Sequence, residues 1–299
     1  MNNSDPTEGY PMSQSLHELE TAAAESGLNL FHVLTQRDLA AAGLPWPVQS
    51  PEQPGLLLLF GNGGGKLWRQ LALQEEKAKG DATDIGFADE SADRLMARSA
   101  DSPVDSASRQ LVLNLIANST SLKAFKTRVL YPGPDNVLPL QKLGAIAGWH
   151  NASPLGTGIH PEWGVWFAYR VLVWIGVPTP NEAPALPAQS ANAQPQRSAS
   201  PPVSLIMGDV CLSCQSRACV SACPAEAIEF NASPNMDACA RYRLSENSQC
   251  ADRCKSREAC PAGRADRQYS RSQINYHYRV ALKGLAHYYG VPSSDQDNS

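Results

Sequence analysis

Cys211-Leu-Ser-Cys214-Gln-Ser-Arg-Ala-Cys219-Val-Ser-Ala-Cys223-Pro224 is the stretch on which the reading of this chain turns. Four more cysteines follow: Cys239, Cys250, Cys254 and Cys260, the last again preceding a proline, Pro261. All eight cysteines of the 299-residue chain lie in this segment, and the 210 residues before it contain none. A segment that monopolises the thiols is built to hold something with sulfur. Two groups of four, each closing on Cys-Pro, meet the need of two 4Fe–4S clusters, in which each iron takes one thiolate. The count leaves no cysteine over.

Two other readings use the same residues. Four disulfides would consume all eight, but disulfide frameworks belong to small secreted domains. The opening Met1-Asn-Asn-Ser-Asp-Pro6 lacks the charged and apolar regions of a signal peptide. Two zinc sites would also take eight thiolates, as paired Cys-x2-Cys elements far apart in sequence. Four cysteines within thirteen positions, ending in Cys-Pro, suit a loop wrapped round a cluster better than either.

The spacing resembles that of the two-cluster bacterial ferredoxins, Cys-x2-Cys-x2-Cys-x3-Cys-Pro. Here the second gap is four residues, Gln215 to Ala218, and the later half is wider, Cys239-x10-Cys250-x3-Cys254-x5-Cys260-Pro. In that family the cysteine before proline serves the other cluster. The resemblance therefore implies one cluster on Cys211, Cys214, Cys219 and Cys260, and the other on Cys223, Cys239, Cys250 and Cys254. It also implies a soluble electron donor of flavodoxin or reductase type as partner.

Composition bounds the rest. Apolar residues at 42% and charged ones at 18% allow a real core, and the length allows two domains of ordinary size. A formal net charge of −4 gives no electrostatic case for nucleic acid. Residues 1–204 carry 14 basic and 19 acidic side chains, whereas residues 205–299 carry 11 and 10. Arg241, Arg243, Arg253, Lys255, Arg257, Arg264, Arg267 and Arg271 gather around the later cysteines, as a solvated surface or as countercharge for anionic clusters. The most apolar stretch, Trp163 to Val177, contains Arg170 and falls short of the roughly 20 residues of a spanning helix. The expectation is a soluble, cytoplasmic protein with no membrane partner.

Local patterns predict helices over Ser15–Ala24, with Ser15 as cap, over Thr35–Gly43, over residues 103–124, over Leu138–Ala147 and over Ser272–Tyr289. Strands are predicted at Leu28–Leu34, Gly55–Phe60, Thr127–Tyr131, Ile159–His160 and Val165–Trp174. The mixture is not strictly βαβ, so the expected class is α+β. Residues 1–180 form the first domain. Residues 181–202, rich in Pro, Ala, Ser, Gln and Asn, form a linker. Residues 203–270 hold the cysteines, and 271–299 are a helix and tail.

Gly61-Asn-Gly-Gly-Gly-Lys66 invites a phosphate-loop reading and fails it, because the gap before Gly-Lys is three residues and Leu67 follows. A flexible turn, or close approach to a flat cofactor, remains. The stretch from Gly144 through Trp149, His150, Ser153, Thr157 and Ile159-His160-Pro161-Glu-Trp163-Gly164-Val-Trp166-Phe167-Ala-Tyr-Arg170 is more distinctive. It resembles two related families, the epoxyqueuosine reductases and the cobalamin-trafficking decyanases (MMACHC). Both imply a nitroreductase-like, corrinoid-type N-terminal domain, and the first implies a small ferredoxin-like iron–sulfur domain after it.

On that resemblance Ser153, Thr157, His160, Gly164 and Trp166 are candidate cofactor-binding residues, with Trp149, Trp163 and Phe167 as flat apolar wall. The alternatives are that the aromatics fill an ordinary core and that His160 is a structural hydrogen-bonder. His150 is a further candidate cobalt ligand. The reductase family's proton-donating aspartate stands just before a Pro-Leu pair; here Asp135 is one position out of register with Pro139-Leu140. The implied function is an iron–sulfur oxidoreductase that passes electrons through two 4Fe–4S clusters to a cobalamin-type cofactor. A ferredoxin-type carrier without catalysis is the rival, and a flavin-dependent reductase on the same framework is a third.

Overall fold

Leu57 to Phe60 are wholly buried, as a continuous apolar run predicts for an interior strand. The computed structural model that contains them describes residues 12–48, 54–79, 103–133, 138–177, 209–262 and 269–290. The expected linker, Asp135, Arg264 and Arg267 lie outside the described residues. The elements are α1 (Met12–Glu25), β1 (Leu30–Leu34), α2 (Gln36–Ala41), β2 (Leu56–Gly63), α3 (Lys66–Lys79), α4 (Pro103–Asn118), β3 (Lys126–Tyr131), α5 (Leu140–Ile146) and β4 (Phe167–Gly176). Then come α6 (Asp209–Leu212), α7 (Ala218–Ser221), α8 (Met236–Leu244), α9 (Lys255–Ala259) and α10 (Arg271–Tyr288). A single 3-10 turn, Leu122–Ala124, precedes β3. The class is α+β.

The strands form one four-stranded sheet in the order β1-β2-β4-β3. β1 and β2 are antiparallel, with Phe31 opposite Phe60, and β3 and β4 are antiparallel, with Arg128 opposite Trp174. Val171 to Ile175 of β4 are buried on both faces, as befits a strand flanked on both sides. Helix α2 begins with a full capping box, Thr35 and Asp38 each satisfying the other's backbone amide, and ends before Gly43, which takes a φ of 66°.

The chain packs as two compact units that do not follow sequence order. Among the described residues, the first takes the chain up to Leu67, then residues 104–147 and those from Ala168 to Val177. The second takes Trp68 to Lys79, Gly148–Phe167, the cysteine segment and α10.

Several local expectations are corrected. Ser15 does not cap α1; the helix starts at Met12, and Ser15 is buried on the same face as Leu16, Leu19 and Ala23. The Gly61–Lys66 stretch is not one loose turn. β2 runs through Gly63, only Gly64 and Gly65 turn, and α3 starts at Lys66, a helix the polar run Gln74–Lys79 hid. Ile159 and His160 form no strand, only isolated bridges with Asn151 and Gly164. β4 starts at Phe167 because Pro161 has no N–H to give a ladder and Gly164 turns the chain at φ 55°. The described part of 209–262 holds short helices and no strand.

Candidate functional site

Cysteines from separate stretches are brought together in the second unit. Cys211, Cys214 and Cys219 come from α6, α7 and the loop between them, and Cys260 from beyond α9. These four thiols line one cavity of about 270 Å³. Its other walls are mostly apolar: Val210, Phe230 and Ala262 from the cysteine segment, and Pro154, Leu155 and Ile159 from the Gly148–Phe167 loop. Arg217, held at φ 42° between Cys214 and Cys219, lies on the rim with its guanidinium 3.9 Å from the Phe230 ring centroid.

The electrostatics repeat the grouping. Burial pushes the Cys211 thiol up to about 11, and charge on Cys260, Cys219 and Cys214 pushes the same way. Cys219 is raised by burial and then by Cys260. Cys214 is lowered, chiefly by the Ser216 hydroxyl and then by the Arg217 amide. Cys239 is raised by burial, then by Cys254, with Cys223 and Cys250 adding to it. Cys250 is raised by burial, with Cys254 and Cys223 adding to it. None of these shifts is caused by a cysteine of the other quartet.

Sulfur acceptors are also met by backbone donors. The Ala227 amide donates to Cys223 Sγ at 3.4 Å, and the Arg257 amide, at the start of α9, donates to Cys254 Sγ at 3.4 Å. A helix start is a natural place to hold a thiolate, because its amides point outward unpaired. All eight cysteines are free thiols.

Among the described residues, no three His, Cys, Asp or Glu side chains gather as they would about one metal ion. A single zinc would draw its sulfurs to about 2.3 Å from one point. A cavity of about 270 Å³ with four thiols on its walls fits a multi-atom inorganic group instead.

The five residues assigned to a corrin pocket lie together in the Gly148–Phe167 loop, but each is engaged there. Ser153 donates its hydroxyl to the Thr157 carbonyl at 2.6 Å and accepts from the Leu155 amide. Thr157 itself is exposed. His160 is buried, and its Nδ1 accepts from the amides of Glu162 (3.0 Å) and Trp163 (3.2 Å). Burial lowers its pKa to about 4. The ring is therefore neutral, with its proton on Nε2, the tautomer of a structural hydrogen-bonder. Gly164 closes the bridge to His160.

Trp166 is 1% exposed and packs with Ile159, Val165, Cys211, Cys260, Tyr269 and Ile274. Its ring meets Tyr269 edge-on at 5.5 Å. Arg257 then fastens the loop to the cysteine segment: its Nε and Nη2 donate to the Val165 carbonyl at 3.1 and 2.6 Å, and its guanidinium lies 4.6 Å from the Trp166 ring centroid. The loop read as a cofactor wall is thus a wall of the first thiol quartet. Sequence reasoning missed Leu155, Val210, Phe230 and Ala262 there, since nothing in an isolated apolar residue signals a cavity.

No protein-family profile matches the chain, and no curated protein matches it. Among solved structures it is similar to a C. elegans B12-trafficking protein, CblC, a homologue of human MMACHC. The identity is 14%, the match covers 91% of this chain and 96% of that one, and the TM-score is 0.45. Among the described residues no helix is long and apolar enough to cross a membrane.

Proposed function

We propose that the cysteine segment holds two 4Fe–4S clusters, one on Cys211, Cys214, Cys219 and Cys260, the other on Cys223, Cys239, Cys250 and Cys254, and that the protein moves electrons. The observation that carries this reading is the convergence of four thiols from two stretches, residues 211–219 and Cys260, on one cavity. When bound, such clusters supply reversible one-electron transfer.

The chain's own residues supply the rest. The thiols bind as thiolates, the backbone amides of Ala227 and Arg257 stabilise that form, and Leu155, Ile159 and Phe230 keep water from the first site. The Cys214 thiol is lowered, chiefly by the Ser216 hydroxyl, and lies half-buried between exposed Ser213 and Gln215. A soluble one-electron donor would meet the first site there.

A corrinoid acceptor is the second reading, favoured by the sequence of Ile159–Arg170. As they stand, Ser153, His160 and Trp166 serve the loop's own contacts, so no step is assigned through a corrin. Two measurements on anaerobically prepared protein separate the readings. Cys214→Ala should remove about half the iron, and unchanged iron would refute the grouping. Titration with cob(II)alamin should leave the corrin spectrum unmoved if the protein is a carrier, whereas a saturable band shift would establish the corrinoid reading.

A further inference from the structure

Helix α10 carries Arg271, Arg279 and Lys283 and no acidic residue. One side of it is spent inside the second unit. The Tyr278 carbonyl accepts from Arg243 Nη2 at 2.9 Å, and the Tyr278 ring centroid lies 5.0 Å from that guanidinium. Tyr289, just past the helix, donates its hydroxyl to Asp237 Oδ1 at 3.1 Å. Arg243 and Asp237 both belong to α8, the helix of Cys239. The side turned away from Tyr278 is built differently. Arg279, Lys283 and His287 follow at four-residue intervals as one exposed ridge, and Val280, Gly284 and Tyr288 form a second exposed ridge beside it.

Each part of this face costs the isolated chain stability. Like charges at i and i+4, as at Arg279 and Lys283, destabilise a helix. Glycine is the least favourable interior helix residue after proline, and nothing in the chain demands it at Gly284, where a Cβ would meet no atom within 4 Å. Val280 is 38% exposed and Tyr288 81%. The Tyr288 ring is held edge-on to Tyr289 at 5.1 Å, and Tyr289 is tied to Asp237, so the exposed ring stands in a fixed place. A fixed aromatic anchor, flanking cations and a backbone left bare for close approach are the parts of a protein interface.

Charge selects the partner. Residues 205–240 carry one basic and four acidic side chains, whereas residues 241–290 carry ten and four. An acidic surface is therefore drawn to the later half, where α10 lies, rather than to the earlier. A helix is about 10 Å across, so a partner on the outer face of α10 stands roughly one helix diameter from α8.

We infer that the outer face of α10 is the docking site of an acidic electron-carrier protein, seated on Val280 and Tyr288 over Gly284 and held by Arg279 and Lys283. That the partner carries electrons rests on the two-cluster reading. It would meet the second quartet, as a soluble donor meets the first.

The test is calorimetric titration of the anaerobic, full-length protein with a purified flavodoxin, an acidic one-electron carrier, at low and at moderate salt. Wild type should bind it saturably, and more weakly at the higher salt. Tyr288→Ala and Lys283→Glu should each weaken binding about tenfold or more, the second also reducing the salt dependence. Gly284→Ala separates docking from a purely structural role. It should raise the melting temperature, because alanine favours the helix, and still weaken binding. Variants that bind as tightly as wild type would overturn this inference alone. So would a wild type that ignores flavodoxin, whether or not it binds phosphatidylserine vesicles instead. A wild-type chain without iron would overturn the two-cluster reading, whatever its binding.

Discussion

His160 shows how one side chain can be read two ways and settled by its partners. Its Nδ1 accepts two backbone amides, so the residue works as a neutral ring. Its folded pKa, about 4, lies below the unfolded value of about 6.5. The unfolded chain therefore binds the proton first as pH falls, and this contribution to stability is complete above pH 6.5 and lost between about 6.5 and 4. The loss is on the order of 3 kcal/mol for a group 8% exposed. His160→Asn keeps an acceptor for the two amides without the titration, and should flatten the acid limb of stability measured by denaturant unfolding between pH 4 and 7. An unchanged slope would refute the assignment. Gly156 is a second residue-scale test, with a φ of 71° and the Pro234 ring 2.8 Å from where a Cβ would stand. Gly156→Ala should cost about 1–3 kcal/mol, from left-handed strain and overlap together. A stability within 0.5 kcal/mol of wild type, taking about 0.5 as the usual surface scatter, would contradict that geometry.

Among elements, α9 bears most on the site. Its first amides meet Cys254, and its Arg257 reaches the Gly148–Phe167 loop. Arg257→Met should cost about 2 kcal/mol, leaving the Val165 carbonyl without its charged donor and two aromatic faces without their cation. Chemical denaturation measures this directly, and a neutral result would show that the loop is held by apolar packing alone. What the sequence disclosed at this scale follows from period and punctuation. The run Leu56–Phe60 and the Thr35…Gly43 helix were legible because each signal is local. Helix α3 was not, because its apolar anchors Trp68, Leu71 and Ala72 are followed by seven residues of mixed polarity. α10 was placed correctly, with Ile274 buried and Tyr278, Leu282 and Leu285 half-buried, but Gln273 and Tyr276 are buried too and Ala281 is exposed. A helix whose inner side meets polar and aromatic neighbours carries no clean apolar stripe.

At the scale of the molecule, the grouping of the cysteines was legible only through the resemblance to two-cluster ferredoxins, and the four cysteines it put together first, Cys211, Cys214, Cys219 and Cys260, line one cavity. The company they keep was illegible. That Gly148–Phe167 packs with the cysteine segment depends on contacts such as Trp166–Tyr269, separated by about a hundred residues, which no local pattern encodes. In the first unit, buried Arg170 is held by Asn62 Oδ1 at 2.6 Å and Asp105 at 3.6 Å. Asn62→Leu should cost about 3 kcal/mol by leaving that charge short of a partner. The loss should appear without any change in bound iron, because the two residues belong to a unit without cysteines. The central claim is tested most directly by iron and acid-labile sulfide assays, with a Mössbauer spectrum, on protein prepared without oxygen. Two cubes on eight thiolates predict about eight irons and eight sulfides per chain, all in cuboidal four-iron form. A colourless protein carrying zinc or cystine bridges would contradict it.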